Sequence, residues 1–336
     1  MTVASFKPWL LLSTIITGCS SAKFAGTVPE RAAQSPKLQV EMSSAVPGAQ
    51  LPVIGVNNVP SCADGLKLTG VQLAFIVDNS GSNSNTDCPT RSVQGIFGGG
   101  DMFASCGGPT AREKAILDTY DMLAKAAGQS SSDALAESRI AIASFPTRAD
   151  ERSGWQNQLN WQPLTELSRP GVTNTIRFTR SPVGYTPYSA ALTAATSVFA
   201  NAAKDSREKV AVLISDGQAT DSNPSAVEAQ AEALKASGVK VYVVIYGGTL
   251  SEMADSHVKQ MTRLQDQAKA TSSNWYASNY ANFDDYLKAL VGTKGEGGLA
   301  AKVADTGRLI ELKSADSLAT TIRNLVATQA IKCSAR

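Results

Sequence analysis

Several segments of this 336-residue chain are nearly continuous apolar runs of strand length: Val71–Val77, Arg139–Phe145 (RIAIASF), Val210–Ile214 (VAVLI) and Val239–Tyr246 (VKVYVVIY). A strand that is apolar on both faces needs cover on both faces. That is the situation of a parallel sheet held between two layers of helices. Helix signals lie between the runs. Thr110-Ala111-Arg112-Glu113 is a capping box. It opens a helix with Ile116, Tyr120, Leu123 and Ala127 on one face, stopped by Gly128. Tyr188, Ala191, Leu192, Ala195, Val198 and Phe199 form a second apolar stripe. Asn223-Pro224 starts a third helix, which Gly238 ends. Gly307–Lys313 (GRLIELK) reads as a late strand, and Leu318, Ile322 and Leu325 mark a final helix. The expected architecture over 62–336 is a doubly wound α/β domain with a mostly parallel sheet and helices on both faces.

In such a sheet, ligands bind where the carboxyl ends of the strands meet a switch in strand order. The strand ends are therefore the place to look for chemistry. Asp78-Asn79-Ser80-Gly81-Ser82 follows the first run, and Ile214-Ser215-Asp216-Gly217 ends a central one. Between them, Gly184-Tyr185-Thr186-Pro187 leads into the helix that begins Tyr188-Ser189-Ala190-Ala191-Leu192. Together these turns offer two carboxylates and three hydroxyls, with no His or Cys. Hard oxygen donors of this kind suit Mg²⁺, Mn²⁺ or Ca²⁺ rather than zinc. Asx-rich turns also end strands for purely conformational reasons, so a D-x-S-x-S stretch alone identifies nothing.

The three motifs in this order resemble the von Willebrand factor type A (VWA) domain. D-x-S-G-S follows one strand, G-x-T-P-x-x-x-A-L precedes a helix, and L-I-S-D-G follows another strand. The resemblance covers most of the chain after residue 66. It implies a metal-ion-dependent adhesion site (MIDAS). In that site Ser80, Ser82 and Thr186 coordinate a divalent cation directly, and Asp78 and Asp216 act through bound water and as outer acceptors. Mg²⁺ is the default by abundance and geometry, with Mn²⁺ or Ca²⁺ as alternatives. A first shell of neutral hydroxyls leaves the cation under-neutralised, with one position for a carboxylate from a partner protein. One local difference is Tyr185, where the family often has Gly; it could narrow the rim.

Two stretches depart from the family's pattern, at about 83–108 and 251–298. The first holds Cys88, Gly98-Gly99-Gly100-Asp101 and Cys106. It is long enough to be a functional loop beside the metal, with Asp101 either an internal ligand or, as the plainer expectation, a solvated side chain. The second inserts a polar helix around Asp255–Ala270 and the aromatic residues Trp275, Tyr276, Tyr280, Phe283 and Tyr286. It reads equally well as a partner-docking unit or as a self-packed excursion. His257, the single histidine, lies in that helix. No catalytic role is expected for it, because no Ser or Cys nucleophile motif accompanies it. Trp155 and Trp161 read as a satellite core.

The N-terminus carries a targeting signal. Lys7 precedes the apolar stretch Pro8–Thr17, which is too short to span a bilayer. It ends in Ile16-Thr17-Gly18-Cys19, which resembles the lipobox of bacterial lipoproteins. The resemblance implies a signal peptide over 1–18, lipidation at Cys19 and an exported protein. Ser20 stands where an Asp commonly retains such proteins at the inner membrane, so the outer membrane is the expected home where the cell has one. Residues 19–61, rich in Pro, Ala and Ser, read as a tether. Setting Cys19 aside, Cys62, Cys88, Cys106 and Cys333 remain. An even number in an oxidising compartment points to two disulfides among three possible pairings. The preferred pairing is Cys88–Cys106 and Cys62–Cys333, with free buried thiols as the alternative.

Composition narrows the function classes. A formal net charge of +2 without long runs of one sign gives no nucleic-acid-binding face. The expected function is metal-dependent protein binding by a membrane-anchored module, in adhesion or envelope scaffolding. One rival is a metal-dependent hydrolase, disfavoured because the site lacks a His and a cluster of direct carboxylate ligands. The other is a structural spacer with a vestigial site.

Overall fold

The computed structural model describes residues 53–54, 60–61, 66–93, 104–129, 138–146, 158–165, 168–182, 184, 186–217, 219–270, 280, 282–292, 297–331 and 333–335. Its centre is a six-stranded sheet. The strands are β1 (Val71–Asp78), β2 (Arg139–Phe145), β3 (Gln158–Pro163), β4 (Glu208–Ser215), β5 (Val239–Tyr246) and β6 (Leu309–Leu312). In space they run β6-β5-β4-β1-β2-β3. Every neighbouring pair is parallel except β2–β3, so the sheet is mostly parallel with one antiparallel edge. The order grows outward in both directions from β1 and β4, so the switch point of the doubly wound fold lies between those two strands. Their register pairs Val77 with Ile214, which sets the residues after Asp78 and Ser215 side by side.

β1 shows why the sheet is covered twice. Alternate side chains of a strand point to opposite faces. Val71, Leu73, Phe75 and Val77 enter one core with Ile116, Tyr120 and Leu123 of α2 (Ala111–Gln129, the helix after α1, Asn83–Thr86). Val172 and Ile176 of α3 (Arg169–Ile176) and Leu318, Ile322 and Leu325 of α9 (Leu318–Leu325) close the same layer. Ala74 and Ile76 enter the other core, beneath α4 (Tyr188–Ala200) and α5 (Pro224–Ala236). Each fully buried Val, Leu, Ile or Phe contributes about 1.5–3 kcal/mol, so both layers are needed to hold one sheet.

Several expected boundaries move. β1 runs one residue past Val77 into Asp78, β4 extends to 208–215, and the late strand is only Leu309–Leu312. Gly128 does not stop α2, which ends at Gln129. β3 is a strand that no apolar run announces; Gln158, Asn160 and Gln162 on it are polar. Trp161 on that strand does pack inward. Its ring lies 5.4 Å from that of Phe199, and its indole N–H donates to the Val198 carbonyl. Trp155 lies outside the described residues.

The first departure is not a bare loop. α1 follows the Asp78–Ser82 turn at once, and a small antiparallel pair then joins Arg91–Val93 to Ala104–Cys106, with the Cys88–Cys106 disulfide beside it. Asp101 lies outside the described residues. Cys333 is disulfide-bonded as well, while its expected partner Cys62 lies outside the described residues. The second departure holds α6 (Leu250–Ala270) and α7 (Phe283–Val291), and α8 (Gly298–Val303) follows it. Tyr286, Leu290 and Val291 are buried in the second core. Its described residues therefore form a self-packed part of the domain. Trp275 and Tyr276 lie outside them. No helix among the described residues is long and apolar enough to cross a membrane.

Candidate metal site

The three turns meet above the β1–β4 switch point. Asp78 is the last residue of β1 and is fully buried. Its Oδ1 accepts from the Ser80 backbone N–H at 2.7 Å, and its Oδ2 accepts from the Ser215 hydroxyl at 2.6 Å. The first bond is an Asx-type turn, which folds the chain back over its own carboxylate. It leaves the Ser80 and Ser82 hydroxyl oxygens 3.0 Å apart, and the Ser82 hydroxyl donates to Asp216 Oδ1 at 2.8 Å.

Thr186 arrives from the far side. Its backbone N–H donates to the Thr220 hydroxyl at 3.1 Å, and the Thr220 N–H donates back to the Thr186 carbonyl at 3.0 Å. The Gly81 N–H donates to the Gly184 carbonyl at 3.0 Å, which ties this loop to the metal turn. Asp221 accepts from the Tyr188 and Ser189 N–H groups at 2.7 and 3.0 Å, so it holds the N-terminus of α4 in place. A side chain added at Gly217 would stand 3.5 Å from the Thr186 hydroxyl and 3.9 Å from that of Ser82. The glycine of S-D-G keeps that space free.

Asp78, Ser80, Ser82, Thr186 and Asp216 thus come together in one place. The structure adds supporting roles that the motifs did not assign. Ser215 carries Asp78. Thr86, from α1, donates to Asp216 Oδ2 and so shares that carboxylate with Ser82. The Asn83 amide donates to the Ser80 hydroxyl at 3.1 Å and to the Ser80 carbonyl at 3.2 Å, while its own oxygen accepts from the Tyr246 hydroxyl. Beneath them lies a buried ion pair. Arg112 Nε donates to Asp87 Oδ2 at 2.7 Å and Nη2 to Asp87 Oδ1 at 3.0 Å, while Nη1 donates to the Asp78 carbonyl. Both side chains are fully shielded. Asp101 and Tyr185, named from the sequence, lie outside the described residues. His257 sits on α6, and burial pushes its pKa down to about 4.

Electrostatics mark the site as short of positive charge. Burial raises the pKa of Asp78. Burial, and then the neighbouring Asp78 carboxylate, push Asp216 up to about 7. The nearest buried cation, Arg112, is engaged bidentately by Asp87. Tyr246 is held protonated by burial, so its hydroxyl must donate to Asn83 and thereby orients the Asn83 amide toward Ser80. The Thr186 hydroxyl, in a residue only 5% exposed, makes no hydrogen bond to any described residue. Two buried carboxylates ringed by hydroxyls, one of them unused, fit a hard divalent cation. Among the described residues no cluster of three or more His, Cys, Asp or Glu side chains stands at ligand spacing, so the donor set is a hydroxyl one.

Comparison with known proteins agrees with this fold. Residues 156–291 match the von Willebrand factor type A domain model. Over that span the chain is similar to the von Willebrand factor type A domain. The match includes Thr186 and Asp216, while Asp78, Ser80 and Ser82 precede it. No curated protein matches the chain. Among solved structures, the pilus adhesin SpaC from Lactobacillus rhamnosus GG aligns at 12% identity and a TM-score of 0.46, over 81% of this chain and 34% of that one. Proximal thread matrix protein 1 from the mussel byssus, with a zinc-occupied MIDAS motif, aligns at 16% identity and 0.40, over 80% and 48%. BatB from Bacteroides thetaiotaomicron aligns at 14% identity and 0.37, over 77% and 98%. The chain spans between a third and a half of the length of SpaC and of the mussel protein.

Proposed function

We propose that this chain is a membrane-anchored, metal-dependent protein-binding module that captures an acidic side chain of a partner, in adhesion or envelope scaffolding. The observation that carries the reading is the convergence of the Ser80, Ser82 and Thr186 hydroxyls beside two buried carboxylates at the switch point of the sheet. Ser80, Ser82 and Thr186 would hold the cation directly, with Asp78 and Asp216 behind them. A bound divalent cation, Mg²⁺ first and Mn²⁺ or Ca²⁺ next, supplies a Lewis-acidic point for a partner's carboxylate. Asp78 fixes the turn through Ser80 and Ser215, and Asp216 accepts the Ser82 hydroxyl's hydrogen bond, which leaves the Ser82 oxygen's lone pairs for a cation. A donor set of hydroxyls beside two carboxylates, with no His among the motif residues, supports binding over hydrolysis in this reading. The lipobox-like Ile16-Thr17-Gly18-Cys19 supports an anchor at Cys19 in the cell envelope, at the outer membrane where there is one.

The test is a Mn²⁺ titration, followed by EPR, of the full chain in detergent beside Asp216→Ala and Ser80→Ala. One saturable site, weakened in both variants, is the expected result. Equal responses from all three proteins would reject the metal site.

A further inference from the structure

Thr86 belongs to neither strand-end motif, yet its hydroxyl reaches the centre of the site. That hydroxyl has one proton and two acceptors in reach: Asp216 Oδ2, and the Ser82 carbonyl at 3.2 Å. Its other branch is fixed. Gly247 follows β5 with φ at +96°, and a side chain there would come within 2.7 Å of the Thr86 methyl carbon. With the methyl seated against Gly247, the hydroxyl faces Asp216. The turn carrying Thr86 is itself pinned on both sides. Asn83 is held by Tyr246 and Ser80, and Asp87 by Arg112. A β-branched side chain on a pinned turn has little freedom at χ1.

The consequence falls on Asp216. Ser82 donates to its Oδ1 and Thr86 to its Oδ2, so both oxygens carry a hydroxyl donor. Each bond occupies a lone pair and fixes the plane of the carboxylate. Deepening the cation-site reading above, on which it rests, we propose that Thr86 is a specificity-determining residue of that site. It holds Asp216 as an outer acceptor, so that the position an internal carboxylate would otherwise fill stays open to the carboxylate of a partner. Without the Thr86 hydroxyl, Oδ2 is released and the carboxylate plane turns toward the serine hydroxyls. Asp216 then competes with the partner for the same position.

The experiment uses the full chain in detergent as wild type, Thr86→Val and Thr86→Ser, with Thr86→Ala as a second hydroxyl-free variant should the valine protein not fold. Mn²⁺ alone is titrated first, and glutarate is then titrated into the Mn²⁺-loaded proteins. Loss of one hydrogen bond to a charged group predicts Mn²⁺ binding about tenfold tighter in Thr86→Val and glutarate binding about tenfold weaker. Thr86→Ser, which keeps the hydroxyl but loses the methyl that seats it, is expected to lie between wild type and Thr86→Val in both, nearer wild type. A Thr86→Val protein that matches wild type, or that loses Mn²⁺ and glutarate binding together, overturns the proposal. A wild type that takes up no Mn²⁺ overturns the underlying cation-site reading instead.

Discussion

The two stretches that depart from the domain's regular pattern are attached to it by opposite means. The first, from Asn83 to Gly108, is tied in by directional polar links and braced within itself by one disulfide. The links are Asn83 to Ser80 and Tyr246, Thr86 to Asp216, and Asp87 to Arg112, and the disulfide joins Cys88 to Cys106. The second, from Leu250 onward, is held mainly by apolar burial: Leu250, Ala254, Met261, Tyr286 and Leu290 sit in the second core, with the Tyr286 hydroxyl donating to the Asp221 carbonyl at 3.1 Å. Apolar burial is non-directional and supplies stability without aiming any particular atom. Buried hydrogen bonds and ion pairs add less net stability, but they fix orientation and are costly to break singly. The first stretch can thus orient ligands, whereas the second thickens the domain.

That contrast breaks most visibly at Arg112. Arg112→Met leaves Asp87 buried without its partner, which costs on the order of 3–5 kcal/mol. It also frees the Asp78 carbonyl, so Mn²⁺ affinity should fall with stability. Urea denaturation and Mn²⁺ titration of the same protein check both effects, and a variant that lost stability alone would detach the ion pair from the site.

The second region should respond to pH and not to metal. His257 is buried on α6, its Nε2 has no hydrogen-bond partner among the described residues, and burial lowers its pKa to about 4, against 6.5 for the free side chain. In that window the unfolded chain binds the proton and the folded one does not. The His257 contribution is therefore intact above about pH 6.5 and is lost as pH falls toward 4, by roughly 3 kcal/mol in all. His257→Leu should flatten that limb of the stability curve while leaving Mn²⁺ affinity at neutral pH untouched. Unfolding midpoints measured from pH 7 to 4 decide it.

The smallest effect sharpens the comparison within the first region. Tyr246→Phe removes the donor that orients the Asn83 amide and should cost about 1 kcal/mol of stability. Mn²⁺ binding should weaken by a few fold, because the Ser80 hydroxyl loses its fixed neighbour. Unchanged Mn²⁺ binding would reduce Asn83 and Tyr246 to a structural pair.

The legible part of the site is the part written locally. Asp78, Ser80 and Ser82 lie within five residues, and Thr186 and Asp216 each stand at the mouth of a regular element. A strand's period and a turn's chemistry announce such positions. The residues that support them carry no such mark. Ser215 was visible as part of a motif but not as the donor to Asp78. Asp221 holds the start of α4 from beyond the next turn. Arg112 reads from sequence as the third residue of a capping box, and nothing in its neighbourhood assigns it to Asp87. β3 escaped because a half-exposed edge strand has no apolar run.

The sequence by itself determined the doubly covered sheet and the oxygen-donor set at its strand ends, because both follow from periodicity and from the local geometry of short turns. The tertiary structure alone decided the placement of α1 over Asp216, the burial of Asp87 with Arg112, and the packing of Tyr246 beneath Asn83. Those partners are 25 to 163 residues apart along the chain. They meet only because strand order and register bring the ends of β1, β4 and β5 to one edge, and pairings of that range leave no local pattern in the sequence.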